Sequence, residues 1–515
     1  MSRNRVLLVL AAIVLVLAAA SSVIIARLGP RLRAEVVRAL ESRMDAAVTL
    51  EAFEAHLWPR PGVSGGGLTL RHRQRPDLQP LVSVRQFSGD ASWRGIFQAR
   101  LNAVALDGLE VTIPPRRRQD MPSLVPRGNE IEEPPTDRSS FAIARLTATN
   151  ARLSILPRNP AKDPMIFDIF ALEILDLTLL APSQFTASLT NPVPVGYIET
   201  SGRFGPWNGE EPSETPVDGR FRFDADLGSI KGIAGALHAA GDFDGIIDRI
   251  AVSGTTDTPD FRIPKLKAAA LPLATRFHAI VDGTNGDVQL DPVEARLAKS
   301  RFVAKGFVVG TKGIKGKRVL LDVTSKDARM EDILRLTVRG QPPAMTGAVT
   351  LSTSFDLPQG SQDVIDKLRL SGSVTIANAQ FASDSVQGKV DELSRRARGR
   401  PTDGGVARVP STIHAGFTMA RGTISLNNIA YSVDGATVDL AGAYALESGV
   451  LDFTGTVRLA ASASETQTGL RHFLLKPFDP LFRKGGAGTR LAVRIVGTVD
   501  QPKIGLDLGR TLKGR

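Results

Sequence analysis

Residues Gly435 to Leu459 read GATVDLAGAYALESGVLDFTGTVRL, and the alternation within them decides the fold. Val438, Leu440 and Tyr444 fall on one parity, with Thr437 and Asp439 between the first of them. Leu451, Phe453, Val457 and Leu459 then alternate with Asp452, Thr454, Thr456 and Arg458. A period of two sends the apolar set to one face of a strand and the polar set to the other. A parallel sheet covered on both faces would read as unbroken apolar runs, so this stretch predicts an antiparallel sheet with one solvated side. Downstream, Leu491, Val493 and Ile495 share a parity with Arg494 opposite, and upstream Ile424 and Leu426 belong to the same pattern.

Working outward, period two dominates from about residue 65 to the C-terminus. Asp107-Gly108, Asp282-Gly283, Asn285-Gly286, Asp434-Gly435 and Ser448-Gly449 punctuate it. Such pairs suit tight hairpins that need positive φ, so the spacing predicts a long meander. Helical periodicity is confined to Arg329 to Leu336, Val364 to Leu368 and Asp384 to Arg398. Polar, proline-rich stretches at Pro114 to Ser140, Gly205 to Pro216 and Gly399 to Pro410 read as loops or boundaries. Gly254-Thr255-Thr256-Asp257-Thr258-Pro259 returns as Gly497-Thr498-Val499-Asp500-Gln501-Pro502. Read as strand end, turn and new strand, the two copies predict a repeated supersecondary unit.

The 515 residues carry 42% hydrophobic and 23% charged side chains, the balance of a folding chain. With no Cys there is no disulfide framework, thiolate metal site or cysteine nucleophile. Aromatic residues make up 5%, with Trp 3 and Tyr 3, which counts against stacking surfaces for glycans or single-stranded nucleic acid. The net charge of +11 suits either an anionic partner or a solvated arginine-rich surface.

Chemistry-bearing motifs are absent. His56, His72, His238, His278, His414 and His472 show no metal-ligand spacing. Gly62-Val63-Ser64-Gly65-Gly66 matches GxSxG but precedes the alternating Leu68-Thr69-Leu70, where a nucleophile elbow needs a helix. Gly310 to Arg318, GTKGIKGKR, fails the phosphate-loop spacing and reads as a basic hairpin loop. No catalytic residue, metal site or cofactor is expected.

Val6 to Ala26 is uncharged and apolar, about 31 Å as a helix, the thickness of a bilayer core. It outlasts a signal-peptide core of about 15 residues, so it predicts a retained anchor. Arg27, Arg31, Arg33, Arg38 and Arg43 follow it, and a count of positive charge alone would put this flank inside. A very short N-terminal tail favours export of the body, which is the topology expected. Leu32, Val36, Val37, Leu40 and Met44 then recur at helical spacing, for a helix packed on the body or lying on the membrane. Arg471 to Arg490, rich in Phe and Leu with interleaved Lys and Arg, reads as a packed loop or a contact tip.

Taken in order along the chain, these stretches resemble the AsmA family of envelope proteins. The resemblance runs from the anchor through Trp58-Pro59-Arg60-Pro61-Gly62, Leu106-Asp107-Gly108-Leu109-Glu110-Val111 and Leu189-Thr190-Asn191-Pro192. It continues through Gly232 to Leu237, Thr256 to Phe261, Gly422 to Leu446, and the stretches ending GGAGT and GTVDQPKIGLDL. It implies a cytoplasmic tail at 1–5, an inner-membrane anchor at 6–26, and a periplasmic body. The polar, proline-rich stretches themselves divide the body into β segments at 27–113, 141–398 and 411–515, joined by loops at 114–140 and 399–410. The implied fold is mainly β, a long antiparallel sheet curled into an elongated apolar groove with few short helices. The implied role is phospholipid binding or transport supporting outer-membrane integrity, with envelope proteins as possible partners and no nucleic acid.

The residues themselves fit that role, since exposing a diacyl lipid to water costs on the order of 20 kcal/mol and demands a continuous apolar lining. Ile424, Leu426, Val438, Leu440, Leu451, Phe453, Val457, Leu459, Leu491, Val493 and Ile495 are the expected lining. Two sheets burying their apolar faces against each other would read the same way, which suits a scaffold factor. An envelope hydrolase is the third class, and nothing in the sequence argues for it.

Overall fold

A computed structural model describes residues 33–34, 37–38, 41, 46–56, 61–72, 79–92, 100–115, 142–178, 181–208, 211–339, 342–397, 408–459, 490–499 and 501–506. The strands are β1 (Ala46–Thr49), β2 (Ala52–His56), β3 (Gly62–His72), β4 (Val82–Asp90), β5 (Arg100–Ile113), β6 (Ala142–Ile155), β7 (Met165–Leu177) and β8 (Ser183–Pro192). They continue as β9 (Val195–Phe204), β10 (Pro216–Asp226), β11 (Ala236–Ile246), β12 (Arg249–Phe261), β13 (Leu271–Val281), β14 (Val288–Leu297), β15 (Ser300–Val309) and β16 (Arg318–Arg329). The last are β17 (Met345–Leu357), β18 (Arg369–Phe381), β19 (Ser411–Ala420), β20 (Thr423–Val433), β21 (Ala436–Ala445), β22 (Val450–Leu459), β23 (Arg490–Thr498) and β24 (Pro502–Leu506). Three helices interrupt them: α1 (Met330–Thr337), α2 (Val364–Lys367) and α3 (Asp384–Ala397).

All 24 strands belong to one sheet, in which each strand from β3 onward pairs with the next in sequence. β1 and β2 lie end to end along the same edge of β3. The predicted meander is therefore present, and the three helices stand where the periodicity put them. The loops at 114–140 and 399–410 do not interrupt the sheet, because β5 pairs with β6 and β18 with β19 across them.

Three local expectations change. The β5–β6 pair is parallel, not antiparallel. The connection 114–141 is long enough to return the chain to the same end, which a parallel pair requires. Asp107-Gly108 is not a hairpin turn but a kink inside β5, with Gly108 at φ 65 and its neighbour Asn150 on β6 at φ 51. Asp107 accepts a 2.7 Å hydrogen bond from Asn150 there, and the kink lets Leu106 and Leu109 pack in one cluster. The first GTTDTP copy runs through the middle of β12, with Pro259 at a bulge between Thr258 and Phe261. Proline lacks the N–H that a regular ladder would use, so it sits where the ladder is already broken. Only the second copy makes a turn, so the echo does not mark a repeated unit.

The sheet is curled, and contacts between its rims show how tightly. From β6 onward, connections leaving even-numbered strands lie on one rim and those leaving odd-numbered strands on the other. In a flat sheet, opposite rims seven strands apart would stand about 45–50 Å away from each other. Here Lys162, after β6, reaches Asp287, after β13, at 2.6 Å. Lys231, after β10, accepts at 3.0 Å from the backbone N–H of Val364, after β17. Lys265, after β12, meets Asp366, after β17, at 2.5 Å and Glu447, after β21, at 3.2 Å. Each contact joins one rim to the other several strands later, so the ribbon winds in a constant sense.

The apolar side lies inside the winding. Leu266, in a 3-10 turn (Pro264–Leu266), packs with Ile365, Met419 and Leu446 against Leu370, Ile424 and Tyr444. Near the start of the sheet, helical Val37 packs on Ala46, Val48 and Leu70, and Arg33 donates to the Leu50 carbonyl. This places part of the expected post-anchor helix on the body. The expected anchor at 6–26, the tail before it and the segment 471–489 lie outside the described residues. Among the described residues no helix is long and apolar enough to cross a membrane.

Candidate functional site

From β2 to β24 the register links one residue per strand into a row across the sheet. It runs Ala55, Val63, Gly89, Val104, Leu146, Ile174, Phe185, Gly202, Gly219, Phe243, Val252 and Ala279. It continues Leu290, Gly306, Leu321, Phe355, Leu370, Met419, Ile424, Tyr444, Leu451, Gly497 and Pro502. The Tyr444 hydroxyl is the one polar side-chain group along it. At about 4.8 Å per strand the row is about 105 Å long, measured along the curled sheet.

The opposite face is mixed: charged side chains stand among exposed Tyr197, Val303 and Phe307, and Arg222, Asp224, His238, Arg276 and Glu294 of this face line a cavity of about 1030 Å³. Arg152 meets Asp168 at 2.7 Å, Arg203 meets Asp218 at 3.1 Å, His238 meets Asp224 at 2.6 Å, and Arg494 meets Asp452 at 3.3 Å. These exposed cross-strand pairs keep that face in water and add little stability each.

Glycines record the direction of the curl. A Cβ on Gly202, Gly241, Gly372, Gly442 or Gly455, all facing the apolar side, would lie 2.0–2.2 Å from a carbonyl of the neighbouring strand. On the opposite side, a Cβ on Gly416 would find its nearest atom at 3.7 Å and one on Gly505 would find nothing within 4 Å. At Gly202, Gly241, Gly372, Gly442 and Gly455 the neighbouring backbone closes in and only glycine leaves room. Phenylalanine rings lie over the gaps: a Cβ on Gly241 would sit 3.0 Å from Phe221, and one on Gly254 3.2 Å from Phe277.

Coverage varies along this trough. From β9 to β17 the large inward side chains, Phe221, Phe223, Phe243, Val252, Phe277, Leu290, Phe302, Leu321 and Phe355, are half-buried. Among the described residues no second sheet is packed across them, but Met330 and Ile333 of α1 pack with Phe302 and buried Val349 at the β15–β17 end. From β18 to β22 the face is partly roofed. Val390 and Ala397 of α3 pack on Tyr431, Val433, Ala436, Val438 and Val457. Asp391 fixes α3, accepting from the N–H groups of Val409 and Arg408 at 2.8 and 2.9 Å and from Gln387 at 2.8 Å. Burial opposes its ionisation, but these donors, with Arg395 nearby, hold its carboxyl below the usual aspartate range.

The expected lining residues are brought together on this one face. Ile424 pairs with Met419 and Tyr444, Leu426 with Phe417 and Gly442, Val438 with Tyr431 and Val457, and Leu440 with Ile429 and Gly455. Leu451 pairs with Gly497, Phe453 with Ile495, Val457 with Leu491, Leu459 with Ala436, and Val493 with Leu506. The side chains of Leu459 and Leu491 lie outside the described residues. Val438 and Val457 are buried beneath α3, and Phe453 is buried among Ala415, Ile429 and its neighbours. The less covered stretch of this face is instead in the middle of the chain. The stretch Arg220-Phe221-Arg222-Phe223-Asp224 carries the same alternation and marks it in the sequence.

Charged groups cluster where the rims meet. The Lys265 ammonium is stabilised by hydrogen bonds to Asp366 and then Glu447, which raise it above the ordinary lysine range. Burial pushes the Lys317 amine down, against the pull of Asp287. Among the described residues no three His, Asp or Glu side chains converge to hold a metal ion. No family model, curated protein or solved structure matches this chain.

Proposed function

We propose that the trough binds phospholipid by its acyl chains and conducts it along the sheet. The observation that carries this reading is the apolar row from Ala55 to Pro502, interrupted only by the Tyr444 hydroxyl, with half-buried phenylalanines along its middle. Each methylene held there is kept from water, a gain of about 0.8 kcal/mol. Headgroups stay at the mouth between the rims, so the same floor serves any headgroup. With the apolar segment at Val6 to Ala26 as an inner-membrane anchor, the body works in the periplasm and supports outer-membrane lipid homeostasis. This is also what the AsmA resemblance implies.

A second reading, an assembly or scaffold factor for outer-membrane components, draws on the roofed part of the trough, where α3 covers Val438 and Val457. Native mass spectrometry and lipid extraction of the purified full chain separate the two. The conduit carries co-purified phospholipid, displaced when the chain is delipidated and regained from vesicles. A chain that never carries or takes up lipid leaves the scaffold reading standing.

A further inference from the structure

The mouth of the trough is crossed by side chains. Lys162 donates to Asp287 and to the Gly310 carbonyl, both at 2.6 Å, gripping two connections of the opposite rim. Lys265 grips Asp366 and Glu447 in the same way. Backbone bonds flank these grips: Lys312 N–H to the Ala161 carbonyl at 2.9 Å, Met165 to Thr284 at 3.0 Å, and Val364 to Lys231 at 3.0 Å. No strand pairs with another across this seam among the described residues.

We propose that the seam is a lateral gate, closed by the Lys162 and Lys265 clasps, which must part for a lipid to enter the trough from the side. The inference rests on the lipid reading of the trough. Around Lys162 the seam is held by a few polar contacts, and beside Lys265 also by Leu266 packed on Ile365 and Leu446. Neither part has the continuous run of hydrogen bonds that joins the strands on either side, so the seam is weaker than the ladders. It is therefore the line along which the ribbon opens without losing a strand pair. An acyl chain coming from a membrane beside the protein meets that line before it meets the phenylalanine floor. The phosphate of the same lipid is an acceptor for either lysine once its carboxylate is released.

The chain has no native Cys, so engineered pairs are unambiguous. Ala161→Cys with Lys312→Cys, and Lys231→Cys with Val364→Cys, join residues whose backbones already bond across the seam, which brings them within disulfide reach. The full chain is mixed with phosphatidylethanolamine–phosphatidylglycerol vesicles carrying an acyl-labelled fluorescent phosphatidylethanolamine. The gate requires oxidation to slow uptake at least about tenfold and reductant to restore it, with lipid loaded before oxidation retained. In the unlocked chain, Lys162→Ala with Lys265→Ala raises the open fraction and speeds uptake about fivefold. Equal uptake in oxidised and reduced forms overturns the gate and leaves the lipid reading intact. No uptake in either form removes the lipid reading and the gate with it. Failure of both pairs to cross-link on oxidation shows that the seam is not closed and also overturns the gate.

Discussion

Phe277 and Phe453 point to the same face of the same sheet, but their surroundings differ. Phe453 is 8% exposed and packed among Ala415, Ile429 and the side chains around them. Phe277 is half-buried, set between Gly254 and Val293 on the less covered stretch of that face. A carboxylate at 453 is buried without a partner and costs several kcal/mol, on the order of 3–5. A carboxylate at 277 keeps its water through the mouth, so Phe277→Asp costs about 1–2 kcal/mol, mainly lost packing over Gly254. Denaturant unfolding of the two variants measures the difference. Lipid extraction then completes the test, because Phe277→Asp interrupts the floor and lowers co-purified phospholipid while the fold persists. Equal, large destabilisation by both substitutions would mean that the middle of the sheet is a filled core.

α3 shows how one acid holds an element in place. Asp391 receives donors on both oxygens, and its carboxyl sits below the usual range. A depressed folded pKa contributes stability that is present above the unfolded value and is lost as pH falls through the folded one. The expected outcome is that α3 stays docked at neutral pH and loosens only in acid below the ordinary aspartate range. Asp391→Asn removes the charge and one acceptor oxygen, costs about 1–3 kcal/mol at neutral pH and flattens that acid dependence. Hydrogen exchange over 384–397 as a function of pH reads both effects. The helix itself was legible, because its period of 3.6 stands out against strands. What it covers was not legible: Val438 and Val457 alternate like less covered residues of the face, and their roof comes from side chains about 40–70 positions away. The parallel β5–β6 pair escaped for a similar reason, since alternation gives the face of a strand but not its direction. Asp107-Gly108 escaped because a left-handed glycine serves a mid-strand kink and a hairpin equally well.

Across the whole molecule, two kinds of connection compete to transmit disturbance. Strand pairing is nearest-neighbour, as in a solenoid, so damage to one ladder weakens the next and fades with distance. The seam instead links the connection after β6 directly to those after β13 and β15. Val84, on β4, is 2% exposed at the centre of the cluster that joins β4, β5, β6 and β7. Val84→Asp buries a carboxylate there at a cost of about 3–5 kcal/mol and opens that end of the sheet. With β6 and β7 loosened, Lys162 no longer holds Asp287 and Gly310. Hydrogen exchange should therefore rise across β4 to β7 and again in 282–287 and 310–317, while β10, β11 and β12 between them keep their protection. A protection loss that decays smoothly from β7 through β12 would mean that the rims are uncoupled and that the ladder alone carries the disturbance. Two separated regions of fast exchange, with protected strands between them, require a path that leaves the sheet at one rim and re-enters it at the other.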